Sequence, residues 1–291
     1  MITRDRTDEL GVVLESICGQ EWGNYEIVIG DNGSLPDNLD EIRRICARFP
    51  TVRLHEFGRN LGVSGGRNAV LERCTGDIVI EVDDDSIMPD PSTLARVVQS
   101  FREDADVGIL AFKITNFHTG KTDRYEYPFL DKGRDVDLAG DAAWFIGCGH
   151  AFRREMLTEV GFYHDFAPYA SEELDLAFRA LDKGWRIRYD PRLHVLHKKS
   201  MKHRIVDPVQ WGSLSLKQRM KAALLNLPLP MCLSYFCYRS ISYSRWMRHP
   251  SVIWHACKGL WRERAYIRAH RKCIGFDAVR RLARLRGPLF F

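Results

Sequence analysis

The run Ile78-Val79-Ile80-Glu81-Val82 ends in three consecutive carboxylates, Asp83-Asp84-Asp85, and that junction narrows the folds open to the chain. A short, β-branched apolar run reads as a buried strand, here in the centre of a parallel sheet. Ligands of open α/β sheets sit beyond the carboxyl ends of strands, which is where these acids fall. Like charges packed this closely repel, and a divalent cation with oxygen ligands, Mg²⁺ or Mn²⁺, is the usual way to hold them. The plainer alternative is a solvated acidic loop that caps the next helix, and the stretch alone does not separate the two.

The flanking sequence repeats the same rhythm. Residues 8–20 place Leu10, Val13, Leu14 and Ile17 on one helical face, with Asp8 as the cap. Residues 25–30 form a strand that runs into the turn cluster Asp31-Asn32-Gly33-Ser34. A helix over 36–49, a strand over 52–57 and a Gly-rich run through Asn60, Gly62, Gly65, Gly66 and Arg67 follow, and a helix then leads to Cys74. Strands alternating with helices at this spacing mean βαβ units and a parallel sheet. Such a sheet opens on an apolar strand, yet only Met1-Ile2-Thr3 precede Arg4. Either the true start lies upstream or the first strand is cut to a stub.

Beyond Asp85 the pattern predicts a helix over 91–101, a strand over 107–114 and a polar loop over 116–142. In that loop Tyr125 and Tyr127 alternate as on an edge strand. Residues 143–152, with Trp144, Phe145 and Gly147, read as a strand whose small residues admit a close backbone approach. A helix over 153–160 stops at Gly161. Another over 171–183 opens with a capping arrangement at Ser171-Glu172-Glu173 and stops at Gly184. Two short strands follow, at 185–189 and 193–197.

Charge divides the chain in two. Residues 1–197 hold 23 Lys+Arg against 35 Asp+Glu, whereas residues 198–291 hold 20 against 3. An acidic body that tolerates metal and a basic tail are implied. The eight cysteines are scattered without a CxxC pair, which favours buried, reduced thiols in the cytosol, and there is no cleavable signal pattern at the N-terminus. The Gly-rich run is neither a P-loop, since no GKS or GKT occurs, nor a dinucleotide fingerprint. Its glycines let backbone amides approach a ligand, and Arg67 adds charge suited to a diphosphate.

Taken in order, Asp31-Asn32-Gly33-Ser34, Asn60-Leu61-Gly62 with Gly65-Gly66-Arg67-Asn68, Asp83-Asp84-Asp85 and Glu172-Glu173-Leu174-Asp175-Leu176-Ala177-Phe178-Arg179 resemble the motifs of inverting family 2 glycosyltransferases. The resemblance covers about residues 1–200. It implies the GT-A fold, a Rossmann-like mixed sheet with helices on both faces, with a nucleotide-binding half over 1–90 and an acceptor half over 91–200. It further implies that Thr3 and Asp31 hold the base and ribose of a nucleotide sugar, with Arg6, Asn60, Gly66, Arg67 and Asp84 nearby. Asp83 and Asp85 would present Mn²⁺ or Mg²⁺ to the diphosphate, and His197 would complete the metal site. Glu173 stands where the family places its catalytic base, usually an aspartate, and Glu172 or Asp175 is an alternative for that role. Trp144, Gly147 and Asp175 would lie on the acceptor side. Helix-start charge is the plain reading of the three acids, as a satisfied strand-end histidine is of His197, and His150 and His194 stay with that reading.

Transfer from a nucleotide-diphosphate sugar passes through an oxocarbenium-like transition state. The leaving diphosphate gains charge that a metal stabilises, and a carboxylate takes the acceptor hydroxyl's proton. The resemblance therefore implies a UDP- or dTDP-type donor and a glycan or lipid-linked acceptor, in surface polysaccharide or glycolipid synthesis.

Residues 201–291 read as helices in which Arg and Lys alternate with Trp and Tyr, and the apolar stretch 222–233 is broken by Pro228 and Pro230. That is too short to span a bilayer. It suits helices lying on an anionic membrane surface, at the inner face of the cell membrane. A solvated helical face ranks second and nucleic-acid binding third. Two rival functions stand beside the transferase: a sugar nucleotidyltransferase, which needs a basic Gly-rich loop after the first strand, and a nucleotide-sugar-binding scaffold without turnover.

Overall fold

A computed structural model describes residues 1–131, 133–199 and 205–287. Strands β1 (Ile2–Thr3), β2 (Ile27–Asp31) and β3 (Val52–Glu56) form a parallel sheet in that order. Helix α1 (Thr7–Cys18) joins β1 to β2, and α2 (Pro36–Ala47) joins β2 to β3. The apolar face foreseen for the first helix is the one it buries, Leu10, Val13, Leu14 and Ile17. Asp8 is not its cap: it lies inside the helix, and Arg6 holds the cap position without a side-chain capping hydrogen bond.

Helix α3 (Gly62–Leu71) leads to β4 (Ile78–Val82), followed by β5 (Ser86–Ile87), α4 (Thr93–Glu103) and β6 (Val107–Asn116). Then come β7 (Gly140–Asp141), β8 (Gly149–Arg153), α5 (Arg154–Val160), α6 (Glu172–Asp182) and β9 (Arg186–His197). A second, mixed sheet has the order β4-β8-β6-β9-β5, with β7 on β9.

The expectation that 78–82 sits in the centre of a parallel sheet is corrected. β4 is the end strand of the second sheet and pairs antiparallel with β8. With only two residues, β1 forms no ladder to β4, and a cavity of about 1400 Å³ separates the sheets, lined by Ile27, Val28, Val79, Glu81 and Leu71 among others.

Side chains of the second sheet alternate between two cores, as the period-two geometry of a strand requires. Along β6, Ile109 and Ala111 face a cluster with Phe152, Phe178 and Leu216, whereas Leu110, Phe112 and Ile114 face Leu14, Val97 and Phe101. Helices thus cover both faces.

Four further expectations change. The strand foreseen over 143–152 is confined to Gly149–Arg153, because the backbone before it turns to serve side chains instead of a ladder. The two strands foreseen over 185–197 are one, β9, with a register shift opposite Phe112 and Lys113 that accommodates Pro191. Tyr125 and Tyr127 do not alternate on an edge strand. Tyr125 lies exposed within a 3₁₀ turn (Arg124–Glu126), and Tyr127 follows that turn and enters the core. Ser171 makes no capping hydrogen bond, for its backbone is left-handed (φ 67°).

The C-terminal part folds as helices, α7 (Pro208–Asn226), α8 (Leu229–Met247), α9 (Ser251–Arg262), α10 (Arg264–His270) and α11 (Phe276–Arg284). Leu216, Met220, Leu225, Val279 and Leu282 share one apolar cluster with Phe166, Leu176 and Phe178. The break between α7 and α8 falls at Pro228, as the prolines required.

Candidate active site

The three aspartates after β4 are held in three ways. Asp83 is the most open and accepts a hydrogen bond from Arg67 Nη2 at 3.1 Å. Asp84 is buried and accepts one from Arg6 Nη1 at 2.6 Å. Burial, together with the charge of Asp85, pushes its carboxyl up to about 6 in spite of Arg6. Asp85 is fully buried, 3.3 Å from the same Arg6 nitrogen and 3.4 Å from His197 Nε2.

Arg67 organises the opposite wall. From α3 its guanidinium reaches Asp83, the Gly147 carbonyl at 3.0 Å, Glu172 Oε1 at 3.4 Å and Glu173 Oε1 at 3.5 Å. Asp83, just after β4, and the glutamates of α6, nearly ninety positions apart in the chain, thereby share one cation. Glu172 is buried, and burial together with the charge of Glu173 pushes it up to about 8 although Arg67 opposes the shift. Glu173 is more open and lies against Gly147, where a Cβ would stand 2.1 Å from its Oε1. Trp144 is half-buried and packs on the core, beside the fully enclosed Phe145.

Beneath Arg67 lies a buried polar layer that sequence reasoning passed over. Glu81 Oε2 accepts from Tyr163 Oη at 2.7 Å and lies 2.8 Å from His150 Nε2. Burial works to raise Glu81, but these partners and Arg67 outweigh it and bring it down to about 2. His150 is thus satisfied within the core, as expected of it, and His194 lies 2.9 Å from the Thr115 hydroxyl.

The turn residues around the Gly-rich run mostly hold one another. Asp31, at the end of β2, accepts from the amides of Gly33 and Ser34. Thr3 pairs with it across the β1–β2 ladder. Asn60 is exposed and its side-chain oxygen accepts from Gly62 N at 2.9 Å. Asn32, quoted in the turn motif but given no role, is the buried clamp. It accepts from Leu61 N at 2.9 Å and donates to the Gly62 carbonyl at 3.0 Å. Gly66 packs on Asn32 so closely that a Cβ would come within 3.1 Å.

Asp175 is not brought to this cleft. Its carboxylate is fully buried and engaged by Arg179 Nε at 3.0 Å, His164 Nδ1 at 3.0 Å and Asn226 Nδ2 at 2.7 Å, an arrangement that ties α6 to α7.

His197, at the end of β9, reaches the aspartates from the other side. One ligand atom each of Asp83, Asp85 and His197 lie within 4.8 Å of one another. His197 Nδ1 is 2.5 Å from Glu126 Oε1, and Lys199 Nζ is 2.9 Å from Glu126 Oε2. Burial lowers His197, but Asp85, Cys148 and Glu126 outweigh it and carry it up to about 12. Burial pushes the neighbouring Cys148 thiol up to about 11. Glu126 and Cys148 carry no signal in the sequence: one sits in a polar loop, the other in a run that reads as a strand with small residues.

Comparisons with known proteins bear on the family and the fold. The profile of the family described as glycosyl transferase family 2 matches residues 1–161. An uncharacterized protein of Haemophilus influenzae is 40% identical over 155 residues, 51% of this chain and 84% of its own length. An undecaprenyl-phosphate 4-deoxy-4-formamido-L-arabinose transferase of Pseudomonas syringae is 35% identical over 108 residues, 36% of this chain and 31% of that protein. Among solved structures, a mannosyltransferase of Pyrobaculum calidifontis in complex with GDP-Man and Mn²⁺ superposes with a TM-score of 0.62 at 19% identity. The match covers 97% of this chain and 77% of that one.

Proposed function

The chain belongs to glycosyl transferase family 2, and from that premise we propose that it uses a divalent cation to move a sugar, with inversion, from a nucleotide-diphosphate sugar to a hydroxyl of a glycan or lipid-linked acceptor. It is a glycosyltransferase with the GT-A fold. The observation that carries the finer reading is the Arg67 guanidinium, which sets Asp83 and the glutamates of α6 on two sides of one cleft.

Asp83, Asp85 and His197 fit a cation such as Mn²⁺ or Mg²⁺. Their donors converge, they pair two carboxylates with an imidazole, and His197 Nε2 is buried without a hydrogen-bond partner. The Pyrobaculum neighbour holds Mn²⁺ with its GDP-Man. When bound, the cation supplies Lewis-acid neutralisation of the departing diphosphate. Arg67 adds a fixed positive charge beside it, and Arg6 keeps Asp84 and Asp85 in place. Thr3, Asp31, Asn60 and Gly66 form the donor side, with the base and ribose against β1 and β2. The donor is of UDP or dTDP type.

The proton of the acceptor hydroxyl goes to Glu173. Burial and its neighbour's charge raise Glu172, which makes it the poorer proton acceptor of the two. Trp144 and Gly147 line the acceptor side. The acceptor is lipid-linked: exposed Leu229, Leu233 and Ile241 on α8, with Trp254 and Trp261 on α9, stand among arginines that suit an anionic membrane face. The Pseudomonas relative's name, an undecaprenyl-phosphate transferase, supports that choice. Among the described residues no helix is long and apolar enough to cross a membrane.

Thermal shift with Mn²⁺ and a panel of UDP-, dTDP- and GDP-sugars tests the donor and the metal. One nucleotide class raises the melting temperature in wild type and not in Asp83→Ala or Asp85→Ala. Equal stabilisation of all three proteins contradicts the metal assignment. Glu173→Gln binds the same donor and loses turnover by about 10²–10⁴-fold. Donor binding without any turnover in wild type, across an acceptor panel, returns the protein to the scaffold reading.

A further inference from the structure

Next to Asp83 and Asp85 lies a second set of donors, two of which have no role in the proposed reaction. Glu126, Cys148 and His197 are all buried, and one ligand atom of each lies within 4.8 Å of the others. They come from three places in the fold: the 3₁₀ turn after β6, the segment leading into β8, and the end of β9. His197 belongs to both sets. It is 6% exposed, and its Nε2 has no hydrogen-bond partner.

The two sets differ in chemistry. Carboxylates with one imidazole make a hard site suited to Mn²⁺ or Mg²⁺, whereas a thiolate, an imidazole and a carboxylate are a soft-to-borderline set that favours Zn²⁺. In a tetrahedral zinc site, bonds of about 2.0–2.3 Å place neighbouring donors about 3.3–3.8 Å apart, so these three need to move by only about 1 Å. Lys199 does not block this, because it holds Glu126 through Oε2 and leaves Oε1 beside the imidazole. A neutral imidazole has one lone pair to give. Two divalent cations on His197 at once would require the ring to lose its last proton, so occupation of one set excludes the other.

We propose that Cys148, Glu126 and His197 form a soft-cation site that takes Zn²⁺ and, by claiming His197, displaces the hard divalent cation from Asp83 and Asp85. The competition rests on the metal reading under Proposed function, while the existence of the soft site does not. Zn²⁺ then acts as an inhibitor that excess Mn²⁺ relieves.

The test uses the full chain, freed of metal with chelator. Titration with Cd²⁺ produces the near-ultraviolet thiolate-to-metal charge-transfer band with an end point at one equivalent. The band is lost in Cys148→Ser, weakened at least about tenfold in apparent affinity in Glu126→Gln, and kept in Asp83→Asn. Absence of the band in folded wild type overturns the site, as does an undiminished band in Cys148→Ser, which would assign it to another cysteine. Should Cys148→Ser fail to fold, wild type and Glu126→Gln still decide. Electron paramagnetic resonance of bound Mn²⁺ reads the second half: one equivalent of Zn²⁺ releases Mn²⁺ from wild type. Retention of both ions overturns the competition. Wild type that binds no Mn²⁺ yet shows the Cd²⁺ band refutes the hard site and leaves the soft one standing.

Discussion

Replacing Gly147 by alanine puts a methyl group 2.1 Å from Glu173 Oε1 and about 3 Å from both terminal nitrogens of Arg67. Ordinary carbon–oxygen contact begins near 3.4 Å, so the carboxylate must retreat by more than 1 Å. The backbone at 147 is not left-handed, and alanine adopts it without strain. Both displaced groups are the ends of flexible side chains, so the fold loses little. Catalysis is more demanding, because a misplacement of about 1 Å costs on the order of 10²-fold in rate, or about 2.7 kcal/mol of barrier. We expect kcat for donor consumption at saturating Mn²⁺ to fall by that amount. The melting temperature should stay within a few degrees and Mn²⁺ affinity within about twofold, since Asp83, Asp85 and His197 are untouched. Wild-type kcat in a correctly folded Gly147→Ala protein would refute the placement of the base at Glu173. An equal loss of Mn²⁺ binding would show that the cleft moves as a whole.

Glu172 binds its proton more tightly folded than unfolded, so from about pH 4.5 to about pH 8 wild-type stability falls as pH rises. Glu172→Gln removes that slope. Its stability advantage over wild type grows across this window in pH-resolved denaturant melts, and a flat difference would contradict the shift. Asp175→Ala strips Arg179, His164 and Asn226 of their shared acceptor and should cost about 3–5 kcal/mol in urea unfolding. A value near zero would mean that the tie between α6 and α7 is not structural. In vesicle flotation, Trp254→Ala with Trp261→Ala should lower binding to anionic liposomes while neutral liposomes bind neither protein. Unchanged flotation removes α9 from the membrane face.

Much of this site could be read directly from residue order. Asp83–Asp85 stand at a strand end because the β-branched run Ile78–Val82 favours a strand, and Arg67 is placed by the Gly-rich turn that starts α3. The partners of those residues could not be read this way. Glu126 meets His197 only because the polar loop after β6 folds back across β9. Asp175 sits two positions past Glu173, about 200° round α6 and so turned away from the cleft, a difference of angle that an acidic run at a helix start conceals. β9 reads as two strands because Pro191 interrupts the ladder without ending it. The neighbours of β4 escape sequence reading for a related reason: an apolar run tells that a strand is buried but not which strand it pairs with.

The gap between β1 and β4 has a mechanical consequence. Without a shared ladder, the three-stranded sheet and its helices are joined to the rest mainly through side chains, Arg6 on Asp84 among them, with the Glu21 amide on the Pro91 carbonyl, and amide exchange should report two separately opening units. A molecule that grips both at once would fuse them into one. Its arrival would then be felt as protection far from the point of contact, along strands it never touches.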